Sequence, residues 1–283
     1  MTKRSLVLAI CLATIFPSGT GALPQPKVES VDQLVDRYFD TYFRFHPTIG
    51  TINGFHQYDG QLEDFSKPNL DREAAALEAL LPDFQKALAA RPDQAKSDDL
   101  TFLESQTHSR LLELKTIRMW QKDPDLYGSA PAYSIFVLMK RNFAPPQDRL
   151  RSVIARERQI PALFSAGRHN LENPPKVYTE VALEQLPGTI DFFRKDVPSA
   201  FSAVQDAQLL KEFQAVNSAV IAEYEKYQAF LHDDLLPVSR GDFRLGADTF
   251  RKKLLYDEMV DIPLDRLREI GYSDLHKNQQ RLR

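Results

Sequence analysis

The sequence contains a single cysteine among its 283 residues, and this cysteine lies close to the amino terminus. Cys11 is part of an apolar run at residues 6–16, which follows the basic start at 1–4 and precedes small residues at 20–22. This order is typical of a cleaved secretory signal, and the run is shorter than the roughly 20 residues of a membrane-spanning helix. We therefore predict a signal peptide at 1–22, in preference to a membrane anchor.

The chain has no excess of basic residues and, once Cys11 is removed with the signal, no thiol. Disulfides are then excluded, so an apolar core must hold the exported fold together. Lysine and arginine number 36 against 39 aspartate and glutamate residues, which leaves no basic surface excess to neutralise phosphates. We expect a periplasmic or extracellular protein that has no stable membrane span after signal cleavage and does not bind nucleic acid.

The sequence also lacks the usual catalytic motifs. A zinc-peptidase helix needs two histidines four residues apart, with a glutamate beside the first, but the six histidines are isolated from one another. No serine-elbow pattern, phosphate loop or dinucleotide fingerprint is present. We therefore assign no catalytic residue, no metal ligand and no cofactor within this chain.

Apolar residues recur at helical spacing along the chain, and period-two alternation is scarce. The pattern predicts an all-α, multi-helix array that forms one domain at residues 23–283. Glycines and the Lys67-Pro68 pair predict a long structured loop between residues 49 and 69. The helices are predicted at 31–43, at 73–81 with a break or kink at Pro82, at 99–120 and at 206–236. A last helix is predicted to run toward Arg283, with Asp261 as its N-cap and Pro263 in its first turn.

The last of these helices continues to Arg283 without a glycine or proline that would end it. Its amphipathic pattern is interrupted at the end of the sequence, which indicates a truncated gene product or a fragment. The alternative is the natural helical terminus of a short protein.

The strongest group of candidate site residues is His56, Tyr58 and Asp59. They lie in a glycine-bounded loop, where side chains can reach a cleft. Local hydrogen bonds that fix the loop to the first helix would explain the same residues without any function. We retain all three as candidate substrate-binding residues.

A second candidate lies in the run that begins with Arg240, Gly241 and Asp242. Arg244 is retained as a fourth substrate-binding candidate. The alternative is a turn in which Gly241 permits the bend and an arginine pairs with a nearby acid.

Two further polar groups have simple explanations as solvated helix faces. Glu180 and Glu184 are one helical turn apart and could act as a carboxylate pair. His232, Asp233 and Asp234 form the densest ligand-like cluster, but adjacent helical residues point in different directions.

Three blocks of the sequence resemble one family of exported bacterial proteins. Residues 47–60 read PTIGTINGFHQYDG and are followed by LEDFS at 62–66. The stretch at 149–188 contains NLENPP, and residues 236–246 read LPVSRGDFRLG. These blocks are similar to the N-terminal half of the domain-of-unknown-function 885 family, whose members resemble helical zinc metallopeptidases.

The resemblance implies an N-terminal helical part that lines one wall of a deep channel, while a later part carries the metal. The zinc helix of the family, of the type His-Glu-x-x-Pro-Gly-His-His, is absent from this sequence. We therefore expect zinc, and possible binding of a peptide substrate, only in the full-length form, and we expect this chain alone to be inactive. A free-standing periplasmic binding or scaffold protein is the alternative function.

Overall fold

The computed structural model describes residues 29–282, and the predicted signal peptide lies outside them. Within this span the chain folds into thirteen α-helices and contains no β-strand, so the all-α prediction is confirmed. The helices are α1 Val31–Phe45, α2 Pro47–Ile52, α3 Lys67–Ala89, α4 Gln94–Leu112, α5 Met119–Lys122, α6 Asp125–Lys140, α7 Pro146–Glu157, α8 Ile160–Asn170, α9 Lys176–Asp191, α10 Val197–Ala200, α11 Ala207–Ala229, α12 Ala247–Glu258 and α13 Leu264–Arg281.

Three of the helices continue into π-helical turns. These turns follow α4, α9 and α11, at Glu113–Ile117, Phe192–Asp196 and Phe230–Leu235. The first turn leads into Arg118, whose backbone is left-handed at φ 57° and ψ 53°. The single helix predicted over 99–120 is therefore wrong at its end, because the left-handed Arg118 separates the π-helical turn from α5.

The loop predicted over 49–69 is shorter in the structure, because both of its ends are helical. Pro47 opens α2, and α3 begins at Lys67. Proline is favoured in the first turn of a helix because its nitrogen has no hydrogen to leave unpaired there. Pro82 does not end the helix, because α3 continues through it, and Leu80 and Phe84 on either side are both buried.

Buried apolar side chains form two clusters. The smaller cluster joins α1, α3, α4 and Trp120, and the larger cluster joins the helices from α6 to α11. Phe65 and Leu126 pack against both clusters. Residues from Val31 onward form one compact unit, although α13 has no buried residue. The predicted N-cap at Asp261 is wrong, because Pro263 occupies the N-cap position and α13 begins at Leu264.

Candidate functional site

The segment at 53–66, between α2 and α3, carries three of the four predicted substrate-binding residues. Its main anchor is Arg156 of α7, whose side chain is fully buried. One terminal nitrogen of Arg156 donates to the Ser134 carbonyl at 2.6 Å. The other donates to Thr51 Oγ1 at 2.7 Å and to the Tyr58 carbonyl at 3.3 Å. The buried guanidinium therefore ties the segment to both α2 and α6.

Two carboxylates surround this guanidinium. Burial lowers the pKa of Arg156 to about 10, and the negative charges of Glu63 and Asp59 oppose that decrease. Glu63 also accepts hydrogen bonds from the Thr48 backbone nitrogen at 3.0 Å and from the Thr48 hydroxyl at 2.8 Å. The carboxylate thereby satisfies a free backbone donor in the first turn of α2.

Two amide side chains from α7–α8 hold the rest of the segment. Gln159 Nε2 donates to the Gly60 carbonyl at 2.9 Å, and Gln159 Oε1 accepts from the Leu62 nitrogen at 3.2 Å. Asn170 Nδ2 donates to the Phe65 carbonyl at 2.7 Å. Long-range hydrogen bonds, mostly from α7, α8 and Gln159 between them, thus fix the segment. The alternative explanation from the sequence was local bonding to the first helix, and these bonds come from other parts of the chain.

His56 and Asp59 form a hydrogen-bonded pair on this segment. His56 Nδ1 lies 3.1 Å from Asp59 Oδ2, and the His56 ring stacks on Phe143 with centroids 4.3 Å apart. Asp59 is buried, whereas the His56 side chain is about half exposed. A carboxylate on Nδ1 fixes the imidazole tautomer and leaves Nε2 available. This arrangement can accept a proton or a hydrogen bond from a bound molecule.

Tyr58 has a mainly packing environment. Its ring lies over Gly50, where an added Cβ would be 2.7 Å from Tyr58 Cδ2. The ring centroid is 6.2 Å from that of Phe43 on α1. Gly50 is therefore needed for the close approach of the tyrosine ring.

Arg244 is not brought together with the other three candidates. Its backbone nitrogen donates to Asp242 Oδ1 at 2.9 Å, and its side chain lies over Phe243 and 3.9 Å from the same carboxylate. None of its hydrogen bonds or ion pairs reaches the 53–66 segment. The predicted residues thus form one group of three and one separate, exposed arginine, and substrate binding by any of them stays a prediction.

Gly241 has a different role from the predicted bend. Its nitrogen donates to the Pro174 carbonyl at 3.0 Å, and a Cβ at this position would overlap the carbonyl oxygen of Asn173. The Arg240 nitrogen donates to Asn173 Oδ1 at 2.9 Å. Glycine is required here for close backbone contact, and the second and third family-like blocks of the sequence pack directly on each other.

The other carboxylate and histidine candidates lie at the surface. Glu180 is 3.3 Å from Lys176, and His232 Nδ1 is 2.7 Å from Asp233. Both residues of the His232 pair are exposed. Across residues 29–282 no three side chains of His, Cys, Asp or Glu are grouped so that they could hold a metal ion.

Sequence reasoning missed a buried charged cluster centred on Glu73. Its carboxylate accepts from Arg110 Nε at 2.7 Å and lies 2.9 Å from His46 Nε2. Burial alone would raise the pKa of Glu73, but the hydrogen bonds from His46 and Arg110 outweigh it and lower the pKa to about 2. The three residues are far apart in sequence, and no local spacing pattern could have identified them.

The sequence also gave no sign of a groove between α6 and α9. Two adjoining cavities of about 550 and 580 Å³ share Phe136 and Phe192. Tyr133 and Phe136 are exposed along the groove and stack with centroids 6.5 Å apart. Glu184 lines the second of these cavities, and Lys140 and Asp196 line the first. Such a groove can accept an apolar chain segment with polar groups at its ends.

The fold and these surfaces define an all-helical protein with a long, partly apolar groove. The chain belongs to the family described as "Bacterial protein of unknown function (DUF885)", whose model matches residues 47–283. A comparison with curated proteins finds no match.

A solved structure with the same fold is a candidate lipoprotein of unknown function from Shewanella oneidensis. The two chains are 22% identical and superpose with a TM-score of 0.80 over 89% of this chain. The match covers 46% of the other chain, so this protein spans about half the length of that relative. The part of the sequence that the structure describes has no helix long and apolar enough to cross a bilayer.

Proposed function

We propose that this chain is the non-catalytic N-terminal helical part of an exported zinc metallopeptidase-like protein and is inactive alone. The observation that carries the proposal is the extent of the fold, because 89% of this chain corresponds to only 46% of a longer chain. In this proposal the remaining part of the longer protein supplies the zinc site. Export is supported by the signal-like residues 1–22 and by the description of the relative as a candidate lipoprotein.

Within this proposal the groove between α6 and α9 is the surface that faces the peptide. Its apolar floor around Phe136 and Phe192 would accept apolar side chains of the substrate. Binding would be favourable because it removes apolar surface from water. Charged side chains of both signs line the cavities, with Lys140 and Asp196 in one and Glu184 in the other. They would pair with polar groups of the bound peptide.

The proposal is tested by the DNA sequence beyond codon 283 together with assays of the purified chain. We expect an in-frame continuation that encodes a His-Glu-x-x-Pro-Gly-His-His type helix. The purified 283-residue chain should bind far less than one zinc ion and should not hydrolyse a mixture of unstructured peptides. Stoichiometric zinc with peptide turnover by this chain alone would overturn the proposal.

A free-standing periplasmic binding or scaffold protein is the second candidate. It is favoured by the internal anchoring of the 53–66 segment and by the continuous packing of the two apolar clusters. A cooperative thermal transition with little binding of a hydrophobic dye would support this candidate. A stop codon after residue 283 followed by unrelated DNA would support it as well.

A further inference from the structure

A pocket of about 380 Å³ lies between the start of α3 and the segment around the left-handed residue Arg118. Its lining combines an apolar floor with a charged rim. Leu70, Ala74, Leu114 and Trp120 form the floor, and all four are buried. The rim carries three cationic side chains, Lys67, Lys115 and Arg118, and one carboxylate, Asp71. This surface therefore differs from both the 53–66 segment and the groove between α6 and α9.

The cations of the rim are not equivalent. Lys67 is paired with Asp71, and Lys115 is paired with Glu78. Arg118 donates from Nε to the Lys115 carbonyl at 2.8 Å. Its two terminal amino groups make no hydrogen bond or ion pair with any residue between 29 and 282. The Nε hydrogen bond fixes the orientation of the guanidinium, and its two terminal amino groups stay free to donate. This geometry suits an anion with two oxygen acceptors, such as a carboxylate.

The backbone around Arg118 is held in an uncommon conformation. Left-handed φ and ψ angles are infrequent for residues other than glycine, asparagine and aspartate. Here the Arg118 nitrogen donates to the Glu113 carbonyl at 2.8 Å, and the Met119 nitrogen donates to Glu113 Oε1 at 3.0 Å. Trp120 Nε1 donates to the Leu114 carbonyl at 3.0 Å. These bonds fix the rim and the floor relative to each other before any ligand arrives.

We propose that this pocket binds a small organic anion that has an oxyanion head and an apolar body. The head would pair with the free amino groups of Arg118, with Lys67 as the second cation. The body would cover the floor formed by Leu70, Ala74 and Trp120. Lys67 Nζ lies over the Trp120 ring, 5.9 Å from its centroid, so the second cation is adjacent to the apolar floor.

The pocket contains its own reporter, because Trp120 is the only tryptophan of the sequence. The test is a fluorescence titration of the full chain with 4-phenylbutyrate, and with phenyl phosphate as a second head group. A ligand of about a dozen heavy atoms is expected to bind with a Kd of about 2 mM. We expect a saturable change of Trp120 emission by about 20 mM, and comparison of the two probes shows which head group is preferred.

Three variants and one uncharged probe make the test specific. Arg118→Ala should weaken binding about tenfold, the effect of losing one charge-assisted contact, and Lys67→Ala should weaken it less. Lys252→Ala removes an exposed cation of α12 and should leave the Kd unchanged. 4-Phenylbutanol, which lacks the anionic head, should bind about tenfold more weakly than 4-phenylbutyrate.

The proposal is overturned if no saturable change occurs with either anion, or if Arg118→Ala and Lys67→Ala both bind as tightly as the unaltered chain. Circular dichroism melts of each variant show whether the fold is intact, and loss of binding with an unchanged melting temperature assigns the effect to the pocket. Zinc and peptidase measurements do not enter this test.

Discussion

Helices α11 and α13 show the same kind of apolar periodicity in the sequence but have opposite environments. α11 buries six residues against neighbouring helices, among them Phe213, Tyr224 and Tyr227. α13 buries none, and its apolar residues Ile270 and Leu275 are exposed by 42% and 49%. A periodic pattern therefore predicts that a helix forms, but it does not show whether the surface that covers its apolar face belongs to the same chain.

The difference in burial between α11 and α13 should affect how much each helix contributes to the free energy of unfolding. An isolated helix of this length is only marginally stable in water, since most helical stability in proteins comes from packing of the apolar face. The buried helices have that support, and α13 lacks it within residues 29–282. We therefore expect the free energy of unfolding to depend strongly on side chains that contact α11 and hardly at all on those of α13.

The largest expected effect is that of Phe164→Ala. The Phe164 ring is fully buried, with centroids 4.7 Å from Tyr224 and 4.6 Å from Tyr227. Removing it should lower the free energy of unfolding by about 3–5 kcal/mol. The matched change Leu275→Ala in α13 should alter it by no more than about 0.5 kcal/mol. Urea denaturation followed by circular dichroism measures both, and equal shifts would show that α13 is packed in solution.

The next effect concerns Glu73 of α3, which links His46 at the start of α2 to Arg110 of α4. Its folded pKa of about 2 lies below the ordinary value of 4.5. The stabilisation is therefore fully present above pH 4.5 and is lost as the pH falls toward 2. Glu73→Gln should cost about 2–3 kcal/mol at pH 7 and should flatten the acid side of the stability curve. Urea midpoints at pH 2.5, 4 and 7 test this, and an unchanged acid slope would contradict it.

Glu157 of α7 is expected to have the opposite effect on the pH dependence of stability. Its carboxyl is fully buried with no hydrogen-bond partner in the described chain, and burial raises its pKa to about 9. Because the folded pKa exceeds the unfolded value, stability is greatest below about pH 4.5 and falls as the pH rises toward 9.

The corresponding experiment is Glu157→Gln, which removes the ionisation and keeps the shape of the side chain. Stability of the unaltered chain should fall relative to the variant by about 1.4 kcal/mol per pH unit between pH 5 and pH 8. Glu212→Gln, at an exposed carboxylate of α11, is the matched control and should leave the pH slope unchanged. A slope shared by all three proteins would show that Glu157 is ionised in the folded state.

Much of the fold could be predicted from the sequence, because helix periodicity is a local property. The helix predicted over 206–236 forms α11 and the π-helical turn that follows it, and Asp206 caps its start by accepting from the Leu209 nitrogen. The helix boundaries were predicted wrongly where the same residues are common both in loops and at the start of helices. Lys67-Pro68 is a loop signal after a helix but a start signal in the first turn of α3.

The candidate site was harder to predict because its residues meet only in three dimensions. The charged residues Arg149, Arg156 and Glu157 of α7 are all buried, and the sequence alone did not identify them. Arg149 donates to the carbonyls of Leu138 and Met139 at the end of α6. Arg149 and Arg156 satisfy backbone carbonyls of neighbouring elements, whereas the Glu157 carboxyl has no hydrogen-bond partner in the described chain. The sequence does not show which elements are neighbours.

Charged substitutions at Leu275 of α13 and at Leu282, which directly follows it, should have the smallest effect on stability. They should have a separate effect on association. Exposed apolar surface that no other part of the chain covers promotes association. Leu275→Lys combined with Leu282→Lys should reduce the average mass in light scattering at high protein concentration while leaving the melting temperature unchanged. Gln279→Lys combined with Gln280→Lys adds the same charge without removing leucine. If the leucine and glutamine variants disperse the protein equally, net charge and not the exposed apolar surface controls association, and α13 then differs from α11 only in exposure.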